Sequence, residues 1–314
     1  MSIDIKKELR NLGIDYNDEG NNIQIEKFSS INESDKKDAT FCYYDGDKAI
    51  DYISRSNAGV ILCKKDMMGK IHPKDEQQLF FIDNPRLAFV LLLKKQTNKN
   101  INAGISTSST ISNSNKIGEN CSISSFTYVD ENSTIGDNCI IGNRVVIKNT
   151  IIGNNCSIQS GTTIGEDGFA FERHSSGKLE HFPHLGKVII SDNVDIFANC
   201  SIARGSMQNT IIGKGTKIDS LVHIAHNVNI GQDCELTAGT IIGGSSIIGN
   251  STWTGLNSTI KDNVNVGSNV IVGAGAMVIK NVEDNDIVAG VPAKSIKNKV
   301  NTNLSFLMAG QKTD

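Results

Sequence analysis

The chain has 314 residues and a formal net charge of -3 at pH 7, so it is long enough for two domains and lacks the basic excess of nucleic-acid-binding proteins. Its seven cysteines show no paired spacing, which argues against a disulfide framework and indicates a reducing compartment. The N-terminus is mixed in charge, unlike a signal peptide, and the longest apolar run, residues 87–93, is too short to span a bilayer. We therefore expect a cytoplasmic protein with no membrane span.

Residues 1–100 contain no repeat and alternate between helix-like and strand-like segments. The third helix is expected to follow Asp83, Asn84 and Pro85, because aspartate or asparagine can cap a helix and proline fits its first turn. This alternation indicates a small α/β domain, and the polar stretch 96–102 is its expected junction with the rest. Helices are predicted over residues 3–12, 49–55 and 86–95, and strands over residues 22–31, 40–44, 58–63 and 79–82.

From about residue 105 to 280, isoleucine, leucine or valine recurs at every sixth position. Period six matches neither the three-and-four spacing of an amphipathic helix nor the alternation of a simple strand. It is typical of a solenoid of very short parallel strands, with three hexapeptides in each triangular coil and glycine or asparagine at the corners. The inward series is Ile105, Ile111, Ile117, Ile123, Val129, Ile135, Ile141, Ile147, Ile152, Ile158, Ile164, Ile190, Ile196 and Ile202, then every sixth residue from 212 to 278, broken only by Thr254.

A second column of small residues lies two positions before the large apolar ones. Cysteine fills this slot repeatedly, so we expect five of the seven cysteines to be core residues and neither disulfide partners nor metal ligands. The small residues of this column are Ser133, Val145, Thr162, Val228, Thr240, Ser246, Ser258 and Ala276, and the cysteines are Cys121, Cys139, Cys156, Cys200 and Cys234.

The repeat is interrupted over residues 166–187 by a segment of about twenty residues. Such a long loop inside a regular coil tends to be functional, and this one carries three phenylalanines with His174, His181 and His184. The alternative is that it only packs against a neighbouring subunit.

Several motifs resemble the UDP-3-O-acylglucosamine N-acyltransferases of lipid A synthesis, in the same order and spacing over roughly residues 35–250. They are Phe-Phe-Ile-Asp-Asn-Pro-Arg-Leu-Ala-Phe at 80–89, Gly-Phe-Ala-Phe at 168–171, Phe-Pro-His-Leu-Gly-Lys-Val at 182–188, Arg-Gly at 204–205 and Lys-Ile-Asp-Ser-Leu-Val-His-Ile-Ala-His-Asn-Val-Asn-Ile-Gly at 217–231.

The resemblance implies a mainly β chain, a left-handed parallel β-helix with a small N-terminal α/β domain. Left-handed crossovers depart from the usual right-handed rule, so the handedness rests on the resemblance alone. The implied domains are a nucleotide-binding domain at 1–100, the β-helix acyltransferase domain at 101–290 with the insertion at 166–187, and a short tail at 291–314. A homotrimer is implied, with active sites between neighbouring solenoids that join an acyl thioester to the amine of a nucleotide-linked sugar.

The resemblance also implies a catalytic pair, with His226 as the general base and Asp219 orienting it. Histidine titrates near neutral pH and can take the proton that an ammonium group must lose before attacking a thioester. Because His226 follows the inward Ile224 by two residues, it should lie at a corner outside the core. The predicted substrate contacts are Phe41, Tyr44, Phe169, Phe171, His184, His223 and Asn227.

Three features depart from the family. Tyr44 and Asp47 replace the asparagine and tyrosine that follow the aromatic residue of its nucleotide pocket, so a base other than uracil, such as thymine, is an alternative. Asn263 replaces a further family histidine. Residues 288–294 resemble the end of acetyl-CoA-dependent sugar acetyltransferases, which implies that Gly290 and Lys294 lie near coenzyme A.

The sequence therefore favours a short acyl group on coenzyme A, because the outward positions of the late coils read as polar. The alternative is the lipid A enzyme with a long hydroxyacyl chain on acyl carrier protein. No permanently bound cofactor is expected. The polar positions are Asn250, Ser251, Lys261, Asp262, Asn263, Asn265, Ser268 and Asn269, with Trp253 as the large apolar exception.

Two other readings remain. The first is a non-catalytic solenoid scaffold, which the His226, Asp219 and insertion-loop motifs disfavour. The second is a carbonic anhydrase-type metal solenoid, which needs several histidines converging on zinc. His223 and His226 are three residues apart, but no third histidine is near in sequence, so we expect no metal.

Overall fold

The computed structural model describes residues 2–97, 103–112 and 116–297. It contains two compact units, Met1–Ile101 and Asn102–Asp314, which are described separately. No helix in the described ranges has the length and apolar character needed to cross a bilayer. The helical turn expected within residues 303–309 of the tail lies outside these ranges.

The first unit is an α/β domain. Asp4 caps its first helix by accepting a hydrogen bond from Lys7 N (3.1 Å), and Asn84 caps its third through Leu87 N (3.0 Å). Its elements are β1 (Ile3–Asp4), α1 (Ile5–Asn11), β2 (Asn17–Gly20), β3 (Gln24–Ile25), β4 (Lys27–Phe28), β5 (Asp38–Phe41), α2 (Gly46–Arg55), β6 (Val60–Lys64), a 3₁₀ turn (Lys65–Met67), β7 (Gln78–Ile82) and α3 (Pro85–Thr97).

Five strands form its main sheet in the order β2-β7-β6-β5-β4. Strands β4 to β7 run parallel to their neighbours and β2 runs antiparallel to β7. Alternate residues of β7 face two hydrophobic clusters: Phe80 packs with residues of α1 and α3, and Phe81 packs with residues of α2. Strand β2 was not predicted, because its sequence Asn-Asp-Glu-Gly has no apolar residue to form a pattern.

In the described part of the second unit, the regular elements are all strands of two to four residues, separated by turns. Before the insertion these are β8 (Gly104–Ile105), β9 (Thr110–Ile111), β10 (Lys116–Ile117), β11 (Ser122–Ile123), β12 (Tyr128–Val129), β13 (Thr134–Ile135), β14 (Ile140–Ile141), β15 (Val146–Ile147), β16 (Thr150–Ile152), β17 (Ser157–Ile158) and β18 (Thr163–Glu166). The insertion contains β19 (Phe171–Arg173) and β20 (Leu179–His181). After it follow β21 (Val188–Ile190), β22 (Asp195–Ile196), β23 (Ser201–Ala203), β24 (Thr210–Ile212), β25 (Lys217–Ile218), β26 (His223–Ile224), β27 (Asn229–Ile230), β28 (Glu235–Leu236), β29 (Ile241–Ile242), β30 (Ile247–Ile248), β31 (Trp253–Thr254), β32 (Thr259–Ile260), β33 (Asn265–Val266), β34 (Ile271–Val272), β35 (Met277–Val278), β36 (Ile287–Ala289) and β37 (Lys294–Ser295).

These strands stack into three parallel sheets that form the faces of a triangular prism, and the predicted left-handed parallel β-helix is confirmed. Ser122 pairs with Ile140, so a regular coil uses 18 residues. One sheet contains β8, β11, β14, β17, β22, β25, β28, β31, β34, β36 and β37; a second contains β9, β12, β15, β18, β23, β26, β29, β32 and β35; the third contains β10, β13, β16, β21, β24, β27, β30 and β33.

The inward columns fill the prism as the period predicts. In most strands the second residue is buried and the first faces outward, and the five repeat-region cysteines are buried free thiols. Thr254, the exception in the series, is buried with its hydroxyl 3.0 Å from that of Thr240, so the two satisfy each other. Ile105 differs from the prediction: it is 51% exposed, because β8 is the terminal strand of its sheet.

Many corners place an asparagine in the left-handed region, as at Asn120, Asn138 and Asn257. Asparagine tolerates this conformation better than most residues with a Cβ, which gives its abundance a backbone reason. The insertion leaves the coil after β18, forms the antiparallel hairpin β19–β20, and returns through β21. The sheet that contains β8 continues past residue 290, because its strand β37 pairs antiparallel with β36.

Candidate functional site

A cavity of about 450 Å³ opens on the face that contains β26. Outward side chains of successive strands form its floor, namely Thr163, Ser201 and His223. The corners after β26 and β32 contribute His226 and Asn263, and the insertion loop covers one side. Residues far apart in sequence therefore meet because the coils stack in register.

His226 lies in the corner after β26, outside the core, as predicted, and is half-buried. Its Nδ1 lies 3.1 Å from Asn227 Oδ1. That atom is an oxygen, because it accepts hydrogen bonds from Ser206 N (2.8 Å) and Ser206 Oγ (3.0 Å). Nδ1 of His226 must then carry the proton, which leaves a lone pair on Nε2. This contact thus selects the neutral tautomer whose Nε2 can accept a proton.

Two glycines make room for this ring. A Cβ on Gly168 would lie 2.8 Å from His226 Cδ2, and a Cβ on Gly244 would lie 2.9 Å from Nε2. The left-handed position of that corner belongs to Ser245, so Gly244 is not required by its backbone conformation. Sequence reasoning overlooked both glycines, because glycine is common at every corner and the ring that they face is visible only in three dimensions.

A chain of ring contacts runs from the insertion loop to His226. The distances between successive ring centroids are 5.0 Å from Phe169 to Phe171 and 5.1 Å from Phe171 to His181. They are 5.7 Å from His181 to His184 and 5.6 Å from His184 to His226. Phe169 is 89% exposed and free to meet a ligand. His184, predicted as a substrate contact, is instead buried behind the cavity wall, where desolvation lowers its pKa.

Asn227 was also predicted to contact substrate. Its side-chain oxygen contacts His226 and Ser206, and so fixes the orientation of the histidine ring relative to the preceding coil. His223 does reach the cavity, from the outward position of β26, and desolvation by its surroundings lowers its pKa.

Asp219 lies at a different corner from His226, between β25 and β26. Its carboxylate accepts hydrogen bonds from Ser220 N (2.7 Å) and Ala238 N (3.2 Å). The predicted pairing of Asp219 with His226 is therefore not formed within one chain, because the length of β26 separates the two corners of the prism.

The N-terminal unit has its own aromatic cavity of about 240 Å³, which includes both predicted residues, Phe41 and Tyr44. Tyr43 and Tyr52, which the sequence did not single out, also line it, and the ring centroids of Tyr43 and Tyr44 are 4.4 Å apart. The Tyr43 hydroxyl donates to the Tyr44 hydroxyl (3.2 Å) and raises the pKa of Tyr44. Asp47 lies instead in the first turn of α2.

At the other end of the solenoid, Gly290 has a φ of +92° and its carbonyl accepts a hydrogen bond from Met277 N (3.0 Å). Lys294 follows in β37 and is exposed. Met277 belongs to β35, three strands from β26 in the same sheet, a separation of about 14 Å at the usual strand spacing. The two predicted cofactor contacts thus lie beyond the far end of the face that carries the cavity.

Comparison with known proteins agrees with this geometry. The family "Bacterial transferase hexapeptide (six repeats)" matches residues 116–149 and 209–244. UDP-3-O-acylglucosamine N-acyltransferase from Caulobacter vibrioides is 52% identical over 157 residues, which are 50% of this chain and 46% of the relative. The protein of the same name from Methylobacterium nodulans is 48% identical over 107 residues, 34% of this chain and 27% of the relative. The resemblance found in the sequence is confirmed, although the matched part spans about half the length of these relatives or less.

Two solved structures share the fold. UDP-N-acetylglucosamine O-acyltransferase from Moraxella catarrhalis has a TM-score of 0.57 at 25% identity, covering 63% of this chain and 79% of that one. A UDP-N-acetylglucosamine acyltransferase from Bacteroides fragilis has a TM-score of 0.55 at 26% identity, covering 66% and 82%. Both support the β-helical architecture.

Proposed function

We propose that this protein is a sugar N-acyltransferase that acts on UDP-3-O-acylglucosamine. The observation that carries the proposal is His226, whose Nε2 is free to accept a proton within a cavity on the solenoid face. The proposal is supported by relatives of that name that are about half identical over the matched residues. A scaffold would have no need of an imidazole held in one tautomer.

In the proposed reaction the sugar amine attacks the carbonyl carbon of an acyl thioester. The His226 Nε2 lone pair takes a proton from the amine as the C–N bond forms. Collapse of the tetrahedral intermediate breaks the C–S bond, and the proton passes from His226 to the departing thiolate. An amide and a free thiol result. Asn227 keeps the proton on Nδ1 throughout, so that Nε2 remains the exchanging atom.

We further propose that the donor carries a long acyl chain, the alternative to the short acyl group that the sequence favours. The polar residues noted in the late coils lie mainly in the corners. On the sheet that carries His223, Ile241 (45% exposed) and Met277 (39% exposed) face outward, with Thr259 between them. Each methylene buried on such a face contributes about 0.8 kcal/mol.

We expect hydroxymyristoyl donors to be used at least about 100-fold more efficiently than acetyl donors, given that contribution per methylene. The measurement is kcat/KM for thiol release with UDP-3-O-acylglucosamine, comparing acetyl, hydroxybutyryl and hydroxymyristoyl groups on coenzyme A and on acyl carrier protein. The same set of donors shows whether coenzyme A or acyl carrier protein is the preferred carrier. Equal efficiency with acetyl-coenzyme A would restore the short-chain reading.

A matched pair of variants tests which face of the solenoid binds the acyl chain. Ile241→Asn should reduce the long-chain preference, because Ile241 lies on the face with His223. Ile247→Asn should not, because Ile247 is equally exposed but belongs to the third sheet. If both variants lost the long-chain preference equally, the acyl chain would not bind on the face that carries His223 and Ile241.

Gly244→Ala should lower kcat by about tenfold to a hundredfold, because the added methyl would push the His226 ring out of position. The thermal unfolding midpoint should change little. Gly104→Ala is the control, since a Cβ there meets no atom within 4 Å. An unchanged kcat in Gly244→Ala would mean that the ring position does not matter.

We also propose that Asp219 serves His226 from a neighbouring copy in a closed ring of three chains. Each solenoid carries the two residues on different corners, and so can offer one to each neighbour. This arrangement accounts for a pair that does not meet within one chain.

Mixing two inactive variants tests this arrangement. Asp219→Ala and His226→Ala chains with different tags, co-expressed and purified as mixed assemblies, should recover about one third of wild-type activity, because a mixed ring of three contains one interface with both native residues. Each variant alone should be nearly inactive. No recovery in verified mixed assemblies would mean that the two residues do not act across an interface.

A further inference from the structure

Three potential metal ligands converge at the base of the insertion hairpin. Asp167 precedes β19, His181 ends β20, and His184 follows it. One carboxylate oxygen of Asp167 and one ring nitrogen of each histidine all lie within 4.8 Å of one another. The group therefore brackets the hairpin from both sides, and it includes neither His223 nor His226.

His184 is the fixed member of this group. It is 2% exposed, and its Nε2 is buried without a hydrogen-bond partner among the described residues. Its Nδ1 lies 2.8 Å from the Phe182 carbonyl oxygen and so donates to it, which leaves the lone pair on Nε2. A carbonyl at one ring nitrogen is the usual outer contact of a metal-bound histidine.

This nitrogen is close to the segment that carries Asp167. His184 Nε2 lies 3.0 Å from where a Cβ on Gly168 would sit, and Gly168 directly follows Asp167.

The other two members are exposed and able to adjust. The His181 ring stacks on His184 with a centroid distance of 5.7 Å and an interplanar angle of 20°. Arg204 Nε bonds one carboxylate oxygen of Asp167 at 2.7 Å, which orients the group as ligating carboxylates are commonly oriented. To bind the same ion as His184, the exposed His181 ring has to rotate out of this stack, because the lone pairs of parallel rings do not converge; a tetrahedral site then needs ligand separations of roughly 3.4 Å.

We propose that Asp167, His181 and His184 bind one Zn²⁺ ion, with a fourth position open to solvent. Two imidazoles and a carboxylate suit zinc, and sites with three protein ligands keep such an open position. The ion would tie the two ends of the hairpin together directly behind the wall that supports His226. The sequence predicted no metal because it offered no third histidine near His223 and His226; this set excludes both and forms only when the hairpin closes.

The full-length protein, stripped with a chelator and dialysed, should bind one Zn²⁺ per chain in calorimetric titration. Co²⁺ in its place should give the visible absorption of a low-coordinate site. Asp167→Asn and His181→Gln, both at exposed positions, should each weaken Zn²⁺ binding at least about tenfold, as should His184→Gln. Saturating Zn²⁺ should raise the thermal midpoint of the wild type and not that of His181→Gln.

His174→Gln is the matched control, because His174 lies on the same hairpin and contacts Glu180 instead. It should bind Zn²⁺ like the wild type, as should His226→Gln. Two results would overturn the proposal: no Zn²⁺ bound by the wild type beyond that bound by His181→Gln, or stoichiometric binding that survives in both Asp167→Asn and His181→Gln. Circular dichroism verifies folding of each variant, and no readout depends on acyl transfer.

Discussion

Replacing His226 with alanine is expected to lower kcat by about 10²- to 10⁴-fold, the usual contribution of a general base. The residue lies in a corner outside the buried column, so its loss creates no core cavity. Without Nε2, only water can take the proton from the attacking amine. The measurement is steady-state thiol release with the preferred long-chain donor, together with sedimentation and thermal unfolding to verify the fold and assembly.

His174→Ala is the appropriate control, since it removes an exposed imidazole of the hairpin that does not line the cavity. It should keep near wild-type kcat. If His226→Ala retained more than about a tenth of wild-type kcat, proton transfer by this residue would contribute less than general bases normally do, and the assignment would fail.

Ile152→Ala is expected to destabilise the protein by about 2–5 kcal/mol, the usual cost of truncating a large core side chain. Ile152 is buried in the prism between the coils above and below it, and the rigid coil backbone cannot collapse into the vacated space. The free energy of unfolding in urea gives the value, provided that the slope with denaturant is unchanged.

The adjacent residue supplies the control. Ile151 belongs to the same strand but points outward, so Ile151→Ala should change stability by no more than about 0.5 kcal/mol. Equal destabilisation by both changes would show that the inward and outward assignment of this strand is incorrect.

The fold of the second unit was predictable because its rule is local and repeated. A six-residue period needs only alternating burial and a tight corner, and each additional coil repeats the same requirement. Ile123, Ile141 and Ile158 therefore reveal the buried column without knowledge of any contact. Strand β2, which has no apolar residue, had no such signal and was missed.

The position of His226 at a corner also followed from counting two residues beyond Ile224. The sequence did not indicate which ring nitrogen of His226 carries the proton. Asn227 Oδ1 accepts a hydrogen bond from Nδ1–H only because Ser206, on the preceding coil, fixes the orientation of the amide. A contact between neighbouring coils depends on coil length, and the irregular lengths here hide it from the sequence.

The polarity of the outer face shows the same limit. Counting polar residues in the late coils suggested a wall unsuited to a long chain, but a one-dimensional count does not separate corners from faces. Stacking places Asp262 and Asn263 in a corner while Ile241 and Met277 share one flat sheet. Chain connectivity and periodicity were thus readable from the residues, because they arise from short-range burial and turn preferences. Tertiary structure alone decided three features: the proximity of Asp167 to His184, the free Nε2 of His226, and the separation of Asp219 from His226. Each of them depends on which coil lies beside which.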